Sequence, residues 1–397
     1  MKIPILRLAY DEEDIRYIKG EIEKVLRSNY LTMSGRVREF ESRFAAYCGT
    51  GYAIGTNTGT SSIEIILRAI GVEDSTVIVP SNTYMATPLA VIKAGGRVIF
   101  ADCRRENLQI DPQDIEMKIR PDTKGVIVVH IGGIITPLFG RIKEICRKKG
   151  LFLIEDAAHA HGASIDGKKA GSLGQAGSFS FYPTKVMTTA EGGMITTDDE
   201  EILKKARILR EHGKGDPAYN IHVEIGDNWR FSELHAVLGI QQMMKADRIL
   251  NERREIARLY TALLRDMEGV RLLEVPSNIE PSYYKYIAFL EGGIDRGELK
   301  EMMRSEYDIF MPGEVYSDAC HSQPVFKKYP GKAMNTEDVF PNTDFVCARH
   351  ICLPLYPGLS ANEVEYVAVS LRKCVGKLAG NRKARGLRLR RGAHLEK

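Results

Sequence analysis

From about residue 50 to residue 210 the chain alternates two patterns, and that alternation limits its fold more than any other feature. Short β-branched or aliphatic runs, "STVIVP" (75–80), "GRVIFAD" (96–102), "KGVIVVHI" (124–131) and "GLFLIED" (150–156), are each bounded by glycine, proline or charge. Continuous apolar runs of this length read as strands buried on both faces, the habit of parallel sheets. Amphipathic segments at 84–94, 112–119 and 137–149 lie between them. Strand and helix in alternation predict an α/β architecture, with a mainly parallel, mixed central sheet flanked by helices.

Beyond this region, "FSELHAVLGIQQMMKADRILNERREIARLYTALL" (231–264) reads as one long helix connecting to a smaller unit. Strand patterns "YYKYIAFLE" and "ICLPL" and helix patterns "DRGELKEMMRSEY" and "SANEVEYVAVSLRKCV" then predict a C-terminal α+β domain. The expected division is a large domain over 1–250, a small one over 251–380, and a basic tail over 381–397. The N-terminal segment is expected to pack with the small domain.

Composition narrows the function. No apolar run approaches the length of a transmembrane helix, and the N-terminus lacks a secretory pattern, so a cytoplasmic protein without a membrane partner is expected. Seven scattered cysteines without a CxxC pair argue for reduced thiols. The formal charge of +4 is carried by the tail: "NRKARGLRLRRGAHLEK" holds seven Lys/Arg against one Glu. The remaining body is slightly acidic. With no aromatic residues interleaved for stacking, the tail reads as a disordered, solubilising terminus and not as a nucleic-acid arm.

Three motifs bear on chemistry. In "GTNTGTSSIEIILRAIGV" (55–72) a Gly/Thr/Ser turn enters a helix, with Ser61 and Glu64 spaced as a capping box. Free amides at such a helix start favour an anion, Gly59 permits close approach, and Thr60 and Ser61 add hydroxyls. The absence of GK[ST] excludes a P-loop. In "LFLIEDAAHAHGA" (151–163), Glu155 and Asp156 end an apolar strand, where ligands gather in open α/β sheets. His159 and His161 follow; a metal site, satisfied structural histidines or a cofactor contact all fit that spacing. In "SFSFYPTKVMTTAEGG" (178–193), Phe179 and Phe181 face one side of a strand and Ser180 the other. Lys185 follows in the loop to the next strand. A lone lysine is ordinarily solvated. A phosphate site, a strand-end aspartate and a loop lysine together suit pyridoxal 5'-phosphate: the lysine forms a Schiff base, the acid holds the ring nitrogen protonated, and the helix start takes the phosphate.

From about residue 5 to 375 the chain resembles the nucleotide-sugar aminotransferases of the DegT/StrS type, pyridoxal-phosphate enzymes of fold type I. The resemblance runs through "TNTGTSSIEIILRAIGV", "VIVPSNTYMATPLAVIKAGGRVIFAD", "IEDAAHAHGA", "GSLGQAGSFSFYPTKVMTTAEGGMITT", "GDNWRFSELHAVLGIQQ" and "LPLYPGLS". It implies that Lys185 carries the cofactor and Asp156 pairs with its ring nitrogen. It further implies that Tyr84 stacks on the ring, unless that tyrosine is core packing, and that His159 lies near the ring hydroxyl. Gly59, Thr60, Ser61 and Ser180 would form the phosphate cup. Asn228 would reach the phosphate from a neighbouring subunit in a homodimer, and Arg230 would either join it or make a structural ion pair.

The implied reaction is ping-pong transfer of an amino group from L-glutamate to a nucleotide-linked keto-deoxysugar. Two segments depart from the family pattern, Val186-Met187 and "IGGII" (131–135), and both are expected near the substrate mouth. Three rivals remain: a sugar dehydratase, which Lys185 disfavours because such relatives carry histidine there; a related enzyme acting on a cyclitol or other keto substrate; and a non-catalytic regulator.

Overall fold

The structure is a computed structural model that describes residues 1–216 and 218–392, with 381–392 as backbone only. Nine strands fall in the first half of the chain: β1 (Tyr52–Thr56), β2 (Thr76–Pro80), β3 (Arg97–Ala101), β4 (Thr123–Val129), β5 (Phe152–Asp156), β6 (Ser164–Ile165), β7 (Lys168–Lys169), β8 (Ala176–Ser180) and β9 (Gly193–Thr197). Seven of them make one sheet in the order β1-β9-β8-β5-β4-β2-β3. Pairing is parallel from β3 to β8, and β9 runs antiparallel between β8 and β1. The four sequence-expected strands are there, and their near-complete burial explains the unbroken runs of valine and isoleucine. Helices Ala86–Lys93, Pro112–Lys118 and Phe139–Lys149 fill the expected intervals.

The expected 231–264 helix is two, Glu233–Met244 and Ala246–Leu264. Lys245 leaves helical geometry (φ −116°, ψ 7°), and its ammonium pairs with Asp11 at 2.7 Å and with Asp14. Asp11 caps the helix Glu12–Ser28, so the break ties this segment to the N-terminal helix. No glycine or proline marks the spot, which is why periodicity ran through it.

A second, antiparallel sheet joins β10 (Val270–Leu272), β12 (Tyr286–Leu290) and β13 (His350–Leu353); β11 (Ile279–Glu280) pairs instead with β6. Tyr260, Leu264, Met303 and Leu371 build its apolar core, and Ile3 inserts into the same cluster through a bridge to Ile309. The final helix runs Ala361–Gly392. The side chains of the basic segment 381–397, and residues 393–397 altogether, lie outside the described residues, as does the disorder expected there.

A strap from this C-terminal unit returns to the large sheet. Lys332 and Met334 exchange backbone hydrogen bonds with Val98 on edge strand β3, at 2.9 and 2.8 Å. The Asn335 carboxamide accepts from the Phe100 amide and donates to its carbonyl, both at 2.9 Å. Asp102 accepts from the Asn342 and Thr343 amides and the Thr343 hydroxyl. The strap carries Tyr316 to the carboxyl end of the sheet.

Candidate active site

Asp156 ends β5, in register with Val129 of β4 and Ser178 of β8. The pleat sends Glu155 and Asp156 to opposite faces. Glu155 is wholly buried and fully engaged: it accepts from the Gly171, Leu173 and Gly174 amides at 2.7–2.8 Å and meets His130 Nε2 at 2.8 Å. Its role is to pin the loop between β7 and β8. Asp156 faces a cavity of about 400 Å³, large enough for a small cofactor. Thr87 Oγ1 donates to Asp156 Oδ2 at 2.7 Å and the Ala158 amide to Oδ1 at 3.2 Å. Burial raises the Asp156 pKa, against the opposing pull of Thr87, the Ala158 amide and Lys185.

Lys185 reaches the cavity from the β8–β9 loop, where its amide closes a turn on the Tyr182 carbonyl at 2.9 Å. Val186 and Met187 behind it are buried, the former against Ile249 and Leu250. They anchor the loop and do not line the cavity, contrary to the sequence expectation. Ile131, Ile134 and Ile135 are buried as well, so the other departing segment also shapes the core. Burial lowers the Lys185 pKa to about 8; Asp156 opposes the shift and Lys285 adds to it.

The helix Gly59–Ile70 points its start at the same space. Its N-cap is Thr58, whose hydroxyl accepts from the Ser61 amide at 3.1 Å. The expected Ser61–Glu64 capping box is therefore absent: the helix begins earlier, and Glu64 pairs with Arg68 at 2.6 Å. Ser61 Oγ is turned to Asn57 Oδ1 at 2.6 Å and does not line the cavity. The Gly59 and Thr60 amides have no protein acceptor among the described residues. A Cβ at Gly59 would stand 2.8 Å from Ser180 Cβ and 3.0 Å from the Phe179 carbonyl, so only glycine lets the helix start sit this close to β8.

Of the other expected residues, Thr60, His159 and Ser180 line the cavity, and Tyr84 does so with 66% of its surface exposed, which excludes a core role. His159 stacks on Tyr284 with centroids 4.0 Å apart, and its buried Nδ1 has no hydrogen-bond partner among the described residues. Burial, then the Lys185 charge, holds its pKa well below the ordinary value, so the imidazole is neutral. His161 instead packs among Phe44, Phe179 and Phe181. Asn228 is exposed and outside this cavity, while Arg230 pairs with Glu211 at 2.9 Å.

Sequence reasoning missed Thr87, Tyr284 and Tyr316. Thr87 lay in a quoted motif, three residues after Tyr84, without a signal of its own. The two tyrosines come from the distant C-terminal unit: Tyr284 bonds Thr184 at 3.2 Å, and the Tyr316 hydroxyl meets His159 Nε2 at 3.4 Å.

A glycine cradle with free amides, a buried carboxyl, an unpartnered imidazole nitrogen and an amine poised near neutrality fit pyridoxal phosphate in its phosphate, ring nitrogen, ring substituent and aldehyde. The profile of the DegT/DnrJ/EryC1/StrS aminotransferase family matches residues 12–372. The chain belongs to that family. This aminotransferase is 32% identical to the spore coat polysaccharide biosynthesis protein SpsC of Bacillus subtilis, over 89% of this chain and 93% of that one. It is 30% identical to the dTDP-3-amino-3,4,6-trideoxy-alpha-D-glucose transaminase of Micromonospora megalomicea, over 93% and 97%. Among solved structures it is similar to NtdA of Bacillus subtilis with bound cofactor PMP: TM-score 0.85, 26% identity, covering 94% of this chain and 85% of that one. The enzyme is a pyridoxal-phosphate-dependent sugar aminotransferase.

Proposed function

We propose that this aminotransferase moves an amino group from L-glutamate to the keto group of a nucleotide-linked deoxysugar in two half-reactions, with Lys185 and Asp156 as its catalytic pair. The observation that carries the reading is one cavity walled by both groups, beside the uncapped amides of Gly59 and Thr60. The sugar-nucleotide transaminase among its relatives supports the acceptor class.

Pyridoxal phosphate supplies an aldehyde that condenses with amines and a ring that takes up electrons. The protein's part is to hold, orient and move protons. Asp156, whose charged form the Thr87 hydroxyl and the Ala158 amide favour against burial, would hold a proton on the ring nitrogen. Lys185, with its pKa brought down to about 8, has a substantial neutral fraction near physiological pH. When not bound to the cofactor, its amine would be able to take up and return a proton at the substrate's α-carbon. Gly59, Thr60 and Ser180 would cradle the phosphate, with Ser61 turned aside to Asn57; Tyr84 would cover one ring face, and His159, neutral, would sit by the ring hydroxyl. Asn228, exposed on its own chain, serves the phosphate of a second copy in a homodimer. The seven cysteines, all free and buried, suit a cytoplasmic enzyme.

The test is chemical. Borohydride treatment of cofactor-loaded protein should fix the cofactor's mass on the peptide bearing Lys185. L-glutamate with a panel of nucleotide keto-sugars should release 2-oxoglutarate. An unmodified Lys185 peptide, or steady turnover by Lys185→Ala, would sink the assignment.

A further inference from the structure

Lys285 directly follows Tyr284, is half-buried, and leads into β12. Its ammonium lies 5.4 Å from the centroid of the Tyr284 ring, and the Lys185 ammonium lies 4.8 Å from the same centroid. The two nitrogens are therefore separated by no more than the two distances together, about 10 Å. Tyr284 is held in the cavity wall by its contact to Thr184 and its stack on His159.

The neighbouring cations are engaged. Arg253 donates to the Tyr283 and Leu355 carbonyls at 3.0 and 3.3 Å. Arg296 donates to the Cys347 and His350 carbonyls at 2.7 and 3.2 Å. Glu314, the nearby acid, is taken by Lys300 at 2.9 Å. The Lys285 ammonium alone of this group has neither a hydrogen bond nor an ion pair to any described residue; the residue's amide donates to the Gly132 carbonyl at 3.3 Å. An ammonium drawn partly out of water without a partner costs stability, and a ring face returns only part of that. The cost is recovered if an anion arrives.

We propose that Lys285 receives a substrate oxyanion, placing it while the reacting end of the molecule sits at Lys185. This rests on the functional reading above. Both substrates carry such a group: the donor amino acid a carboxylate, the acceptor a diphosphate. A dicarboxylic amino acid whose amine is engaged at Lys185 has a carboxylate only a few bonds away, within the span between the two lysines. Lys285 is not itself a lining residue; a cation at the Tyr284 wall would favour acidic ligands as the tyrosines of that cavity do not.

The experiment compares cofactor-loaded wild type, Lys285→Met, Lys285→Gln and Lys285→Arg. One arm titrates L-glutamate without acceptor and follows the loss of the loaded protein's long-wavelength absorbance. The other measures calorimetric binding of UDP, GDP and dTDP to the pyridoxamine-phosphate form. In Met and Gln variants that keep the cofactor's absorbance, half-saturation should rise about tenfold or more in one arm, as for a lost charge-assisted hydrogen bond, and Arg should recover most of it. A shift in the glutamate arm assigns the carboxylate; a shift in the nucleotide arm assigns the diphosphate. Unchanged half-saturation in both arms overturns the proposal while leaving the parent function standing. Wild type that develops no long-wavelength band, or does not respond to L-glutamate, overturns the parent reading and this one with it.

Discussion

Thr87 Oγ1 donates a 2.7 Å hydrogen bond to Asp156 Oδ2 where both side chains are buried. Burial pushes the carboxyl toward its neutral form, and Thr87 is the largest of the forces that pull it back. Removing the hydroxyl with Thr87→Val should therefore raise the Asp156 pKa. Cofactor affinity at neutral pH should fall about tenfold, the scale of a hydrogen bond to a charged group, and its acid limb should move to higher pH. Thr87→Ser should restore both. Spectrophotometric cofactor titrations from pH 5 to 9 decide the matter, and coincident curves for wild type and the valine variant would refute the role.

Lys185 makes a second prediction through linkage in the cofactor-free protein. Its pKa is 10.5 ordinarily and about 8 when folded. Below pH 8 both folded and unfolded chains carry the charge, and burial makes it costlier in the fold. Between about 8 and 10.5 the folded chain gives up its proton first, so the unfolded chain binds more protons and the penalty fades as pH rises. Lys185→Met should accordingly be more stable than wild type below pH 8, by about 1–3 kcal/mol. Urea unfolding at pH 7 and pH 10.5 should show that advantage shrinking; a pH-independent difference would contradict it.

Gly59 leaves no room for a methyl group against Ser180 and the Phe179 carbonyl. Gly59→Ala should push the helix start away from β8, costing about 1–3 kcal/mol as overpacking does. The added stability that cofactor confers should shrink too, because the displaced amides no longer meet the phosphate. Melting curves with and without cofactor read both effects; an alanine variant matching wild type in each would show the approach to be unimportant.

Tyr84 offers a contrasting case. Its ring is 66% exposed, so Tyr84→Ala should leave the melting temperature of cofactor-free protein nearly unchanged. Loss of a stacked ring should nevertheless weaken cofactor binding by roughly tenfold. Equal cofactor affinity in the two proteins would remove Tyr84 from the site.

What could be read from the sequence follows how local each determinant is. Strands β2 to β5 announced themselves because burial on both faces demands continuous apolar runs. Lys185 and Asp156 were legible because neighbouring residues, a terminating proline for one and an apolar run for the other, fix where each side chain emerges. The start of the helix at Gly59 was misread by three residues, because Ser61–Glu64 satisfies the spacing of a capping box while Thr58 makes the cap. The break at Lys245 depends on Asp11 and Asp14, more than 200 residues away, and no window of sequence contains both. Tyr284 and Tyr316 were invisible for the same reason: only the packing of the second sheet and its strap brings them to His159.

That strap also bears on how the molecule is made. β3 is the outermost strand of the large sheet, and its free side is covered by Lys332, Met334 and Asn335. A nascent chain that has completed every strand of that sheet still presents a bare, apolar border until well over a hundred further residues have left the ribosome. An exposed border of that kind invites pairing with other chains. The last third of the polypeptide thus acts as an internal guardian for the first, and shortened products that end before the strap should be lost to aggregates.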